Sequence, residues 1–248
     1  MYYTHKYLEV VRALDIDPTG DRDATRHLST LLKDEEYAHL EKLIHKRPVM
    51  IYGCGPSLEI DLQKITDAGM QKKFINVAVD GAVYMLLRYR ILPHLNVTDL
   101  DGDIDSILLA NKHGTMTVVH AHAGNLKEIV RNIPRFEGRV FGATRAQEMH
   151  NVKNFGGFTD GDMSLHIVDH YKPKLIVFAG MDYGRVIGVH SGKYNSIRKP
   201  RSMKVSKEIL EEHMGKSRTK VYNITSGGEH IKHTTHVDVP MLAHIIGI

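Results

Sequence analysis

The chain has 248 residues, 42% of them hydrophobic and 25% charged, with a formal net charge of +4; these are the proportions of a globular protein with a substantial core, in one large domain or two small ones. No apolar run reaches the roughly 18 residues of a membrane-spanning helix. Cys54 is the only cysteine, which excludes an intrachain disulfide and fits a reducing cytoplasm.

In chain order, residues 1–47 read as a polar helical cap. Tyr37, Leu40, Leu43 and Ile44 recur there at helical spacing. The first six residues have no apolar core and do not read as a secretory signal. Residues 48–248 then alternate short apolar runs with helical stretches, as a catalytic α/β domain does. The run 49–52 leads into Gly53-Cys54-Gly55-Pro56-Ser57 and a helix near 58–68. The run 74–79 ends at Asp80-Gly81, and 95–98 opens into Asp99-Leu100-Asp101-Gly102-Asp103-Ile104-Asp105. The run 116–119 precedes His120-Ala121-His122-Ala123-Gly124-Asn125. Further runs fall at 139–142, at 174–180 before Asp182, and at 220–225 after a helix over 204–214. This alternation predicts a mostly parallel, doubly wound, Rossmann-like sheet with right-handed crossovers. Ligands of such sheets bind beyond the carboxyl ends of the strands, where five polar tails gather.

The acidic tail is the most pointed of them, with four carboxylates in the seven residues 99–105. Carboxylates ~6 Å apart repel by roughly 0.7 kcal/mol in water and by several-fold more near a low-dielectric surface. A hard cation relieves that crowding, and Mg²⁺ is commonly held by one or two carboxylates together with substrate phosphates. The alternative is a solvated turn that caps the next helix. The Gly53–Ser57 turn opens a helix after a strand, so its N–H groups are candidates to receive phosphate oxygens; a plain tight turn is the competing reading. It is not a dinucleotide fingerprint, since Leu58 stands where the third glycine belongs.

His120 and His122 lie at a strand end and suit substrate or phosphate donors better than metal ligands. His230, His233 and His236 read as polar surface, because 17 histidines make chance spacing common. Gly156-Gly157 before Thr159, Asp160 and Asp162 allows close approach of a ligand to the backbone, or else an ordinary helix cap. Between Tyr183 and Lys207 there is no acidic residue, while Arg185, Lys193, Arg198, Lys199, Arg201, Lys204 and Lys207 are basic. With its glycines and Pro200 this segment reads as a loop, 183–207, either a solvated face or a mobile clamp on an anion. Gly215-Lys216-Ser217 imitates a P-loop end but follows a helix, so Gly215 reads as a helix C-cap.

Taken together, Gly53-x-Gly55-Pro56-Ser57-Leu58, Asp80-Gly81-Ala82, Thr98-Asp99-Leu100-Asp101-Gly102, His120-Ala121-His122, Gly157-Phe158-Thr159-Asp160-Gly161-Asp162 and Gly180-Met181-Asp182-Tyr183-Gly184 resemble the archaeal 6-hydroxymethyl-7,8-dihydropterin pyrophosphokinases. That family is in turn distantly similar to thiamine pyrophosphokinases. The likeness covers about residues 49–184; Ala123-Gly124-Asn125 departs from the Gly-Asp-Asn expected there. The resemblance implies transfer of diphosphate from ATP to the pterin hydroxymethyl group, with release of AMP, in pterin or folate biosynthesis in the cytoplasm. It implies Mg²⁺ on Asp99 and Asp101, which are also the expected catalytic residues, with help from Asp80 and Asp105. Gly53, Gly55, Ser57, Asp80, His120, His122, Asn125, Thr159, Asp160, Asp162 and Asp182 are then expected around ATP and pterin, with Asp160 or Asp162 on the amino-pyrimidine edge. Lys193, Lys199 and Arg201 are expected on the triphosphate. A homo-oligomer is compatible with the sequence, and a membrane or nucleic-acid partner is not required by it. Two other readings stay open: a glycosyltransferase-like nucleotide-sugar enzyme, and a non-enzymatic basic module that binds nucleotide or RNA.

Overall fold

Apolar side chains alternate in the strands between two covered faces. In β1 (Pro48–Tyr52), Val49 and Ile51 enter one hydrophobic layer and Met50 and Tyr52 the other, all four fully buried. A strand covered on both faces reads as an unbroken apolar run, as the parallel sheets of α/β proteins do. The computed structural model describes residues 3–184 and 198–247. No helix among them is long and apolar enough to cross a membrane.

The chain begins with α1 (Tyr3–Leu14), α2 (Pro18–Leu31) and α3 (Ala38–Ile44). After β1 follow α4 (Leu58–Asp67), β2 (Ile75–Val79), α5 (Ala82–Arg88), β3 (Leu95–Thr98), α6 (Ile104–Lys112), β4 (Met116–Ala121), α7 (Leu126–Asn132), β5 (Val140–Thr144) and β6 (Val152–Lys153). Then come α8 (Asp160–His170), β7 (Leu175–Ala179), α9 (Arg198–Lys216), β8 (Val221–Asn223), β9 (Thr235–His236) and α10 (Val239–Ile246). The strands form one sheet in the order β6-β5-β4-β3-β2-β1-β7-β8-β9, and every pair is parallel. The chain steps outward from β1 to β6, and α8 carries it back so that β7 pairs with the free side of β1. Such a reversal opens a crevice at the carboxyl ends.

One face of the sheet is covered by α3, α8 and α9 through Leu40, Ile44, Leu165, Ile167 and Leu210. The other is covered by α4, α5, α6 and α10 through Leu62, Ile65, Leu86, Ile107 and Leu242. Over β4–β6, α2 and α7 add Leu28 and Ile129 against Val119, Val140 and Val152. Burial of each such side chain stabilises the fold by about 1.5–3 kcal/mol. α1 packs against α9 through Val10, Leu14 and Ile209.

Two details differ from the sequence reading. The helix expected from 204 starts at Arg198, so Lys199 and Arg201 lie on a helix and not in a loop; Pro200 is tolerated there because first-turn N–H groups have no helical acceptor. Gly215 sits inside the last turn of α9 and does not terminate it. The trio His230, His233 and His236 is exposed.

Candidate active site

The acidic loop is shaped by Thr98 at the end of β3. Its hydroxyl donates to Asp80 Oδ1 at 2.7 Å and accepts the Leu100 N–H at 2.8 Å. Leu100 takes a left-handed backbone, φ 69°, and buries its side chain under α2 and α7. That anchor leaves Asp99 and Asp101 facing the cavity. Asp80 follows β2, also left-handed at φ 45°. Asp160, the first residue of α8, accepts the Asp99 N–H at 3.0 Å. One oxygen each of Asp80, Asp99 and Asp160 lies within 4.8 Å of the others.

Two histidines brace this triad from the end of β4. His120 Nδ1 meets Asp160 Oδ1 at 3.1 Å, and His122 Nε2 meets Asp99 Oδ2 at 3.1 Å. The Gly124 N–H points at His122 Nδ1 at 3.0 Å, so the His122 proton sits on Nε2 and is donated to Asp99. Asn125 fixes both histidines in place. Its amide donates to Asp99 O at 2.7 Å and His120 O at 2.8 Å, and its oxygen accepts the His122 N–H at 3.0 Å. With its carboxamide so occupied, Asn125 positions the site and does not line the cavity.

Burial and mutual repulsion push these carboxyls apart in acidity. Asp80 is raised to about 6 by burial and then by the charge of Asp99. Asp101 is raised to about 9 by burial and then by Asp99 and Asp80. Burial and the charge of Asp99 carry Asp160 well above the usual carboxylate range. Burial opposes the charge on Asp99 too, but the hydrogen bond from His122 outweighs it and holds that carboxyl low. His120 is kept neutral by burial. Four carboxyls that cannot all ionise together could hold a cation, and all-oxygen donors are the set that hard divalent ions take.

The cavity in front of them has a volume of about 500 Å³. The acidic residues, His120 and His122 line one side, while Leu14, Ile16, Phe158 and Met181 supply apolar wall. Gly53, Gly55, Thr159, Asp182, Tyr183 and Lys199 also border it.

Several expected residues have other roles. Asp105 is 83% exposed and pairs with Arg135 at 3.3 Å, so it is not a helper of the triad; in the first turn of α6 its side chain faces solvent. Asp162 is fully buried, and its oxygens accept from Phe158 N at 2.8 Å, Thr159 N at 2.8 Å and Ser206 Oγ at 3.0 Å, and from Thr159 Oγ1. It caps α8 and offers no oxygen to a pterin. The Gly53–Ser57 turn has no free donors at the expected positions: Gly53 N–H binds Ala179 O at 2.9 Å, Gly55 N–H binds Gly180 O at 2.8 Å, and Ser57 N–H binds Asp182 Oδ2 at 3.2 Å. Glycine is needed at 55 because a Cβ there would fall 1.9 Å from Asp182 Oδ2. Gly157, at φ 84°, serves the packing of α8, since its Cβ would fall 2.6 Å from the Met163 Cα. Arg201 is exposed and outside the cavity lining. Arg185 and Lys193 lie outside the described residues.

Arg145 and Asp21 went unnoticed in the sequence. Arg145 follows β5 directly and borders the cavity, so the strand-end rule that gathered the other tails also reaches it. No comparable signal marks Asp21, inside α2, whose carboxylate takes the Ala123 N–H at 2.9 Å. An acid does reach the loop 123–125, but from another element.

Residues 22–188 match the family model described as 6-hydroxymethylpterin diphosphokinase MptE-like. A 6-hydroxymethyl-7,8-dihydropterin pyrophosphokinase of Methanocaldococcus jannaschii is 33% identical over 194 residues, 75% of this chain and 80% of that protein. One of the same name from Pyrococcus furiosus is 33% identical over 226 residues, 87% of this chain and 94% of that protein. Among solved structures, the MAf glycosyltransferase of Magnetospirillum magneticum superposes with a TM-score of 0.54 at 16% identity, over 88% of this chain and 38% of that longer one. That likeness is one of fold alone. By its sequence, the chain belongs to the MptE-like family of 6-hydroxymethylpterin diphosphokinases.

Proposed function

We propose that the protein transfers the β,γ-diphosphate of ATP to the hydroxymethyl group of 6-hydroxymethyl-7,8-dihydropterin and releases AMP. The observation that carries this reading is the triad Asp80, Asp99 and Asp160 on the cavity wall, in a chain of this family. The acceptor oxygen forms a bond to the β-phosphorus as the bond from that phosphorus to the α,β-bridging oxygen breaks. AMP leaves with the electron pair, and the hydroxyl proton passes to solvent. Such chemistry needs positioning and charge neutralisation more than a covalent nucleophile.

The donor set fits Mg²⁺, with Asp80, Asp99 and Asp160 as its holders and Asp101 beside them. When bound, the ion would supply the positive charge that the transferring diphosphate needs. The remaining work belongs to the chain. His122 and Asn125 fix Asp99, His120 fixes Asp160, and Lys199 brings a cation from α9 to the cavity. The apolar wall around Phe158 suits a flat heteroaromatic ring.

Incubation with ATP, Mg²⁺ and the dihydropterin, with phosphorus NMR of the products, tests the proposal. AMP and a pterin diphosphate are expected. ADP with a monophosphorylated pterin would replace the mechanism by ordinary kinase chemistry. Turnover of a nucleotide sugar instead would move the site to glycosyl transfer.

A further inference from the structure

Arg145 is 9% exposed, and its partner Asp21 is fully buried. Asp21 accepts Nε–H at 2.7 Å and Nη2–H at 3.0 Å, a side-on fork, and Phe158 O accepts an Nη1–H at 3.3 Å. The mount is rigid: the Thr25 hydroxyl donates to Asp21 O at 2.7 Å and meets Thr144 Oγ1 at 2.7 Å, tying α2 to the end of β5. A guanidinium has five N–H donors. Two of them, one on each Nη, therefore have no partner among the described residues. A buried ion pair is weak as a stabilising device, because well-packed apolar residues do as well or better in its place. Held at the ligand edge of the sheet, beside the cavity, it has a better use. β5 lies two strands from β3, about 10 Å along the sheet edge, and His120 on β4 stands between.

We propose that Arg145 is an anion subsite of the cavity, taking non-bridging oxygens of the polyphosphate through its unoccupied Nη donors, with Asp21 as its positioning residue. The inference rests on the polyphosphate reading above and adds the group that grips the anion away from the acidic triad. Planar bidentate recognition of phosphate is what arginine does better than lysine. Asp15 and Asp17 also border the cavity, so the anion needs its metal: binding at Arg145 belongs to the Mg²⁺ complex and not to free polyphosphate.

The test is calorimetric titration with inorganic triphosphate and Mg²⁺, which requires neither pterin nor turnover. Arg145→Lys keeps the charge and loses the fork. The double variant D21N/R145Q removes both charges together, so neither is left buried alone. We expect about a tenfold or greater loss of triphosphate affinity in the double variant and a several-fold loss in Arg145→Lys, with Mg²⁺ binding in the absence of triphosphate unchanged. In turnover, the KM for ATP should rise in Arg145→Lys while that for the pterin stays near the wild-type value. Wild-type triphosphate affinity in both variants would overturn the subsite, and Arg145→Lys alone decides if the double variant does not fold. Loss of triphosphate affinity in the variants, with no AMP formed by the wild type, would leave the subsite standing and remove the reaction. AMP formation with an unchanged KM for ATP in Arg145→Lys would remove the subsite alone.

Discussion

Two sets of carboxylates, one buried and one partly open to the cavity, occupy the same edge of the sheet and differ in what touches them. Asp162 and Asp61 are surrounded by donors. Asp61 accepts Gly180 N–H at 2.9 Å, Ser226 N–H at 3.0 Å and Ser57 Oγ–H at 3.1 Å, and so staples the loops after β1, β7 and β8. Asp80, Asp99, Asp101 and Asp160 instead face one another, with a hydroxyl, two imidazoles and a pair of N–H groups among them. A carboxylate whose oxygens are filled by backbone donors closes a structure. One whose nearest neighbours are carboxylates leaves room for a cation. The count of acids in a stretch of sequence does not separate these cases; the count of donors around each does.

The largest effect should come from breaking the crowded set. Asp99→Asn is expected to lower turnover of the proposed reaction roughly 10³-fold, about 4 kcal/mol of barrier. In EDTA its urea midpoint should fall only slightly, by the loss of a carboxylate that His122 holds ionised in the folded state, so the fold survives the loss of turnover. Near-normal turnover across a Mg²⁺ titration would return the acidic loop to a solvated turn. Asp162→Ala should act the other way round. It leaves Phe158 N–H and Thr159 N–H without their acceptor, at about 1–3 kcal/mol each, so a loss of roughly 3 kcal/mol is expected in urea unfolding. A loss under about 1 kcal/mol would mean that the two sets are not distinct in kind.

Much of the fold was legible, because both periodicities survive in the sequence. The runs at 49–52, 74–79 and 174–180 contain the strands β1, β2 and β7, and the acidic and histidine tails do meet at one edge. What could not be read follows from distance in the chain. Asp99 and Asp160 are 61 residues apart and meet only because α8 returns across the sheet, so the sequence offers Asp160 or Asp162 to a pterin edge and hides the place of Asp160 beside Asp80. Asp162, two residues on, looks identical in type, and helix geometry alone turns its carboxylate back onto the cap. Arg145 failed to stand out because one arginine after a strand carries no pattern. Its partner Asp21 lies 124 positions away. The two-residue strands β6 and β9 have too few residues to express a period.

The acidity of the crowded set gives a smaller and graded effect. In the metal-free protein Asp101 holds its proton up to about 9 and Asp80 up to about 6, against about 4 in the unfolded chain. The folded state binds more protons in that interval, so stability falls as pH rises. His166, lowered to about 3 by burial and by His213, works in the opposite direction below about pH 6.5, where the unfolded chain protonates it. The clean window is therefore about pH 7–9, with Asp101 contributing up to ~1.4 kcal/mol per pH unit. Urea midpoints in EDTA should decline across it for the wild type and stay flatter for Asp101→Asn. Mg²⁺ should reduce the decline, because a ligand of the folded state stabilises by mass action. Identical pH profiles of the two proteins would show that the carboxyls are not coupled.

The smallest effect is expected at Asp105, which the sequence places in line with Asp99 and Asp101 and the fold does not. Its side chain is 83% exposed, and its partner Arg135 is 43% exposed, so the ion pair is a solvated one worth little. It also lies in the first turn of α6, where a carboxylate favours the helix N-terminus by a few tenths of a kcal/mol. Asp105→Asn should cost about 0.5 kcal/mol in urea and leave both turnover and Mg²⁺ affinity at wild-type values. Here a null result is informative, since four identical carboxyls alternate over seven positions and only the turn at Thr98 and Leu100 selects among them. A tenfold loss of Mg²⁺ affinity in Asp105→Asn would mean that charge density along the loop, and not the placement of its side chains, attracts the ion.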